Sequence, residues 1–386
     1  MHNNLENEEK NESLSFEQDK TYINFLEIGE PRISWIQEMV DQISRSRFEM
    51  FLRHLVSYPT RLSTSPYFIE AATWSQSQLE AMGYDTRIEN IGIGSETTHN
   101  VIADKKGLFR DKRNLIIVSA HLDSVNHEGG PHEKAPGADD NGSGCAGLLE
   151  IAHVFRKLQT EHDLRFILFG GEEQGLFGSK QYINNLSEEE KSRIKAVINM
   201  DMIGSLNTSI PTVLLEGAPI SQSIINRLKE VASIYTQLEV ETSLNPFDSD
   251  HVPFIQANIP AVLTIEGADS ANHSEHTSDD TLDRINYELA LEILRMNVAF
   301  IAFQVKKEGL SRDDIMPNGN ENTSQNRAFG KFQAVSQSKD ESSLPTRRTC
   351  GTMDLHRTLL KQSEEYRRQR SKIDSTNKIK KENKDL

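Results

Sequence analysis

Five short runs along the chain are apolar at nearly every position: LIIVSAH (115–121), RFILFG (165–170), AVINMD (196–201), TVLLEG (212–217) and AVLTIE (261–266). They are rich in β-branched residues and bounded by polar or glycine-bearing segments, the pattern of strands buried on both faces. Around them the period of apolar positions lengthens to that of a helix. It does so in ISWIQEMVDQI from Ile33, YFIEAATWSQSQLEAMG, GCAGLLEIAHVFRKL, GLFGSKQYINNL, ISQSIINRLKEVASIY and YELALEILRMNVAFIAFQV, the last ending near residue 305. Strands alternating with helices predict an α/β fold of three layers, with a mostly parallel central sheet flanked by helices.

The pattern also divides the chain. Residues 1–32 are acidic and polar and read as a disordered arm, 33–306 as the folded domain, and 307–386 as a polar linker with a basic, partly helical tail containing MDLHRTLLKQSEEYRRQR. At 386 residues the chain is long enough for a substantial core. No run of about 18 apolar residues occurs, so no membrane association is expected. The first thirty residues lack the basic start and apolar stretch of a secretory signal, and the expected location is cytoplasmic. Cys145 and Cys350 are too far apart to build a disulfide framework, in keeping with a reducing compartment. A net charge of −15 argues against a nucleic-acid partner, which needs a concentrated positive surface. Nothing in the pattern specifies an oligomeric state.

Ligands of open α/β sheets bind beyond the carboxyl ends of the strands. There SAHLDS carries His121 and Asp123, GGEEQG carries Glu172 and Glu173, NMDM carries Asp201, and NHSEHTSDDT after the last strand carries His273 and His276. PGADDNGSG (136–144) sets Asp139 and Asp140 side by side in a glycine-rich loop. Such carboxylates repel unless a cation, a donor network or a shared proton compensates them. Singly these residues are surface histidines, solvated turns or helix N-caps; together at consecutive strand ends they predict a metal site. Strand alternation places His121 and Asp123 on one side, so that the Asp123 carboxylate orients the imidazole.

The ordered set HLDS (121–124), PGADDNGSG (136–144), EEQGLFGS (172–179), NMDM (199–202), SDHVPF (249–254) and HTSDDTLD (276–283) resembles the zinc-dependent aminopeptidases of the M28 group, over about residues 33–305. The resemblance implies a zinc exopeptidase fold and two Zn²⁺ per chain. His121, Asp140 and Asp201 would hold one ion, and Asp140, Glu173 and His276 the other, with a cis peptide between Asp139 and Asp140. Three ligand carboxylates against two Zn²⁺ leave a net positive charge that Glu172 or a hydroxide offsets. The ligand types suit zinc and also admit manganese or cobalt. Glu172 is then the candidate general base. The implied reaction is hydrolysis at a peptide or protein N-terminus. A glutaminyl cyclase of the same fold with one metal, a carboxypeptidase-like hydrolase and a metal-free binding module are the alternatives.

One departure stands out. Several relatives have a tyrosine before the last histidine ligand, where this chain has Glu275, expected to face solvent rather than to grip a substrate's α-amino group. His153 is expected to be structural, His127 and His132 to sit in a surface insertion, and His251 to shape the substrate cleft. His276, immediately before a threonine, is preferred over His273 as ligand. Residues 367–386 carry eight Lys or Arg against three acids, so the tail has the charge to fold onto the acidic body and bring Cys350 to a metal; a solvated appendage is the expected case.

Overall fold

In β3 (Leu115–His121) all seven side chains are buried, and alternate positions serve two cores: Ile116, Val118 and Ala120 enter one cluster, Leu115 and Ile117 the other. β4 (Asp163–Phe169) divides the same way, Leu164, Phe166 and Leu168 against Ile167 and Phe169. A strand packed on both faces loses the polar half of its alternation and reads as a continuous apolar run. The computed structural model describes residues 32–109, 112–130 and 133–305; the expected terminal arm, the tail with Cys350, and His132 lie outside the described residues.

β3 and β4 sit at the centre of an eight-stranded sheet with β1 (Asp85–Ile93), β2 (Glu96–Lys105), β5 (Ile194–Met200), β6 (Thr212–Glu216), β7 (Glu239–Ser243) and β8 (Ala261–Glu266), in the order β1-β2-β4-β3-β5-β8-β6-β7. The inner strands β4, β3, β5 and β8 are mutually parallel. The β1–β2, β2–β4 and β8–β6 pairings are antiparallel, and β6–β7 is parallel. The sheet is therefore mixed, with its parallel part at the centre.

Helices cover both faces. On one lie α1 (Ser34–Val40), α2 (Arg45–Val56), α3 (Pro66–Ala81), α4 (Gly144–Phe155), α7 (Gln222–Tyr235) and α9 (Tyr287–Val305), whose apolar sides build the larger core. The other face carries the smaller core, closed by Tyr182 and Ile183 of α5 (Phe177–Asn185) and Phe254 of α8 (His251–Gln256). α6 (Glu188–Arg193) buries nothing and is held by a capping box between Ser187 and Glu190. Ser44 and Ser65 start α2 and α3 by accepting the backbone N–H of Arg47 and Phe68. The result presents the carboxyl ends of β3, β4, β5 and β8 along one rim.

Candidate metal centre

His121 is the last residue of β3, Asp201 follows β5, Glu172 and Glu173 follow β4, and His276 lies in the loop after β8. The structure brings all but Glu172 into direct contact with one another around Asp140. His121 Nε2 lies 3.2 Å from Asp140 Oδ1 and 3.1 Å from Asp201 Oδ1. His276 Nε2 lies 2.9 Å from Asp140 Oδ2 and 3.1 Å from Glu173 Oε2. Each oxygen of Asp140 thus faces a different imidazole. Glu172 shares the turn of Glu173, with its carboxyl within electrostatic reach of His121, Asp201 and Glu173.

The loops that carry these residues interlock. The Asp280 carboxylate accepts the backbone N–H of Asp139 and of Asp140, each at 2.9 Å, so the segment after His276 clamps the loop of Asp140. Asn141 ties that loop to β5 by donating to Met200 O at 2.9 Å. Arg61, fully buried, donates to the carbonyls of Leu55, Leu122, Pro136 and Gly137, and its backbone N–H to Ser124 Oγ. It thereby holds the β3 exit and the Asp140 loop to one guanidinium. Gly137 has φ 52°, and a side chain there would run into Ser124 and the Asp140 carbonyl. Ser249 donates to Asp201 Oδ2 at 2.6 Å and is itself held by Asn199 at 2.9 Å, which leaves Asp201 Oδ1 turned to His121. His276 and Met202 adopt left-handed backbone at φ 56° and 49°, a conformation that costs non-glycine residues of order 1–3 kcal/mol and gathers at functional sites.

Several expectations change. Asp123 meets His121 most closely through its main chain: His121 Nδ1 donates to the Asp123 carbonyl at 3.1 Å, with the carboxylate farther off at 3.8 Å. That carboxylate instead accepts the N–H groups of Glu172 and Glu173 at 3.3 and 3.2 Å, because β3 ends at His121 and its alternation does not run on to Asp123. The cis peptide joins Asp140 to Asn141, not Asp139 to Asp140. Glu275 is buried, not solvent-facing. His127 is buried against His276, ring centroids 4.5 Å apart, rather than lying on a surface insertion. His251 is wholly buried beside Glu216, 3.7 Å away. His273 is exposed and away from the cluster, and His153 is half-buried on α4, its pKa driven down to about 3 by burial and the nearby Arg47, Arg156 and Lys157. Arg61, Asp280 and Ser249 went unassigned in the sequence.

The electrostatics describe an acidic excess. Burial would lower the His121 pKa, but Asp201, Glu172, Asp123 and Asp140 hold it well above the ordinary imidazole range; Glu173 and Asp140 do the same for His276. Burial would raise Asp140, yet the two imidazoles hold it far below the usual carboxylate range. Glu173 is pushed up to about 7 by burial and by Asp140, against His276. Burial, with Asp201, Glu173 and Asp250 adding to it, drives Glu172 well above its usual value. Protons here offset carboxylates that a divalent cation would offset better. Among the described residues the ion pairs of Asp140, Glu173 and Asp201 are with the two histidines alone, and buried Glu173 Oε1 and His276 Nδ1 have no hydrogen-bond partner. The donor set of imidazole nitrogens and carboxylate oxygens fits zinc.

Residues 100–301 match the model of peptidase family M28. The chain belongs to that family. Aminopeptidase YwaD of Bacillus subtilis is 30% identical over 217 residues, 55% of this chain and 46% of the relative, so the chain spans less than half the length of that curated relative. Among solved structures, the LapA aminopeptidase of Legionella pneumophila matches with TM-score 0.63 and 26% identity, covering 72% of this chain and 77% of that one. A zinc aminopeptidase from Bacillus subtilis matches with TM-score 0.50 and 30% identity, over 58% of this chain and 54% of that one. All the residues that meet around Asp140 lie within the M28 match, whereas Arg61, which ties their loops together, lies before it.

Proposed function

We propose that this M28 chain is a metallo-exopeptidase that hydrolyses the N-terminal bond of a peptide or protein, with two Zn²⁺ held at the sheet rim. The observation that carries the reading is the position of Asp140, one carboxylate with each oxygen turned to a different histidine. His121, Asp140 and Asp201 would hold one ion; Asp140, Glu173 and His276 would hold the other. When bound, such a pair supplies an acidified water and positive charge for the oxyanion that forms on attack.

The chain's residues do the rest. His121 donates from Nδ1 to the Asp123 carbonyl, which leaves Nε2 as its ligating nitrogen. Asp123 fixes the backbone of both glutamates, so Glu173 and Glu172 point from one turn to two tasks. Glu172 takes the proton of the attacking water and returns it to the leaving amine. Its tendency to hold a proton, set by burial and neighbouring carboxylates, suits the second half of that cycle, and cations at the rim would pull it down for the first.

The test is hydrolysis by the zinc-loaded full chain of an aminoacyl chromogenic amide and of the same compound N-acetylated. The free amine is expected to be cleaved and the blocked one not. Cleavage only from the carboxyl end of N-blocked peptides, or no hydrolysis of any peptide, would overturn the proposal.

A further inference from the structure

Six residues beyond His121, the same loop delivers a second imidazole to the site. His127 donates its backbone N–H to the His276 carbonyl at 2.9 Å, and its ring lies 4.5 Å from the His276 ring at 57°. A ring nitrogen of His127, a ring nitrogen of His276 and a carboxylate oxygen of Glu173 all lie within 4.8 Å of one another, a spacing that a single cation can span. The position is fixed from both sides. Ser124 Oγ donates to Ala135 O at 2.8 Å, Asn126 Nδ2 to Lys134 O at 2.8 Å, and Asn126 Oδ1 accepts the N–H groups of Glu128 and Gly129 at 2.9 and 2.8 Å. His127 is accordingly only 9% exposed although it lies in a loop.

We propose that His127 is a fourth protein ligand of the cation held by Glu173, His276 and Asp140. The inference rests on the two-metal reading above and makes the two positions unequal. One would have three protein ligands, His121, Asp140 and Asp201, whereas the other would be closed by two imidazoles and two carboxylates. Zinc sites with four protein ligands are structural in character, and those with three keep an open, reactive position. A position closed in this way would load first and hold its ion more tightly.

The experiment is a zinc titration of the metal-stripped full chain in competition with a chromogenic chelator, for the wild type, His127→Ala, His127→Cys and His273→Ala. The wild type should load in two separable steps. His127→Ala should weaken the tighter step by ~100-fold or more, beyond the ~10–100-fold typical of groups that only support a ligand. His127→Cys, which keeps a zinc-binding atom, should recover most of that loss, and His273→Ala should change neither step. Equal melting temperatures of the metal-free wild type and His127→Ala would establish that the variant folds. Two unchanged steps in a folded His127→Ala, or the same loss in His273→Ala, would overturn the inference and leave the two-metal reading standing. A wild type that binds no zinc, or only one, would overturn that reading and this inference with it.

Discussion

The four inner strands β3, β4, β5 and β8 and the four outer strands β1, β2, β6 and β7 share one sheet but follow different rules. β3 and β8 are buried at every position, whereas β1 leaves exposed Asp85, Ile88, Asn90 and Gly92 and β7 buries only Ser243 of its five residues. The inner strands run parallel, so their carboxyl ends fall on one rim and deliver His121, Glu173 and Asp201 together. The outer strands add width and deliver none of these residues. At the rim, buried carboxylates and left-handed backbone are held by a network that includes Arg61, Asp280 and Ser249. Stability and site are thus built from the same strands at the centre and are separable at the edges.

The sharpest way to break that division is at the reacting edge of the rim. Glu172→Gln should lower kcat by ~10²–10⁴-fold, the usual share of a general acid–base group, while zinc content and melting temperature stay at wild-type values. Loss of one zinc would show that Glu172 and Glu173 have exchanged roles. Next comes the scaffold of the rim. Arg61→Met removes a guanidinium whose donors reach four backbone carbonyls, and each buried acceptor left without a partner costs about 1–3 kcal/mol, so the variant should melt far below wild type in chemical denaturation. A melting curve near wild type would mean that water or neighbouring groups replace Arg61.

Asp123→Asn should be milder, ~10–100-fold in activity or zinc affinity, because a single amide oxygen replaces a carboxylate that accepts two N–H groups. A loss as large as that of His121→Ala would mean that Asp123 does more than hold the glutamate turn. The smallest effect belongs to the edge. Ile88→Thr, at an exposed site on β1, should change stability by no more than about 0.5 kcal/mol and leave kcat/KM untouched. A large effect there would erase the distinction between centre and edge.

The same division explains what could be read from the amino acids alone. Inner strands are continuous apolar runs and declare themselves, as LIIVSAH and AVLTIE do. β1 and β2 are half-polar, β7 is five residues at an edge, and α6 and α8 are six residues each, too short for a helical period to stand out. α2 is legible by the same rule, since Phe48, Phe51, Leu52 and Leu55 follow a serine cap at helical spacing. In the candidate site, carboxylates and imidazoles gathered at consecutive strand ends announce a metal constellation, while the choice of His121, Asp140, Glu173, Asp201 and His276 within it comes from the resemblance to the M28 group. Arg61 and Asp280 do not announce themselves, since the hydrogen-bond partners of their side chains, all but Leu55, are backbone groups 61 to 141 positions away in sequence. Nor does the burial of His127, because it depends on how its loop packs against His276, which spacing does not encode.

The central claim is that Asp140 joins two cations at the rim of the parallel strands. It is tested most directly by counting zinc per chain, by inductively coupled plasma mass spectrometry, in the purified full-length wild type and in Asp140→Asn after both are equilibrated with zinc and desalted. The account predicts two per chain in the wild type and a loss that affects both positions in the variant. A wild type that retains one zinc or none, or an Asp140→Asn variant that keeps two, would contradict it.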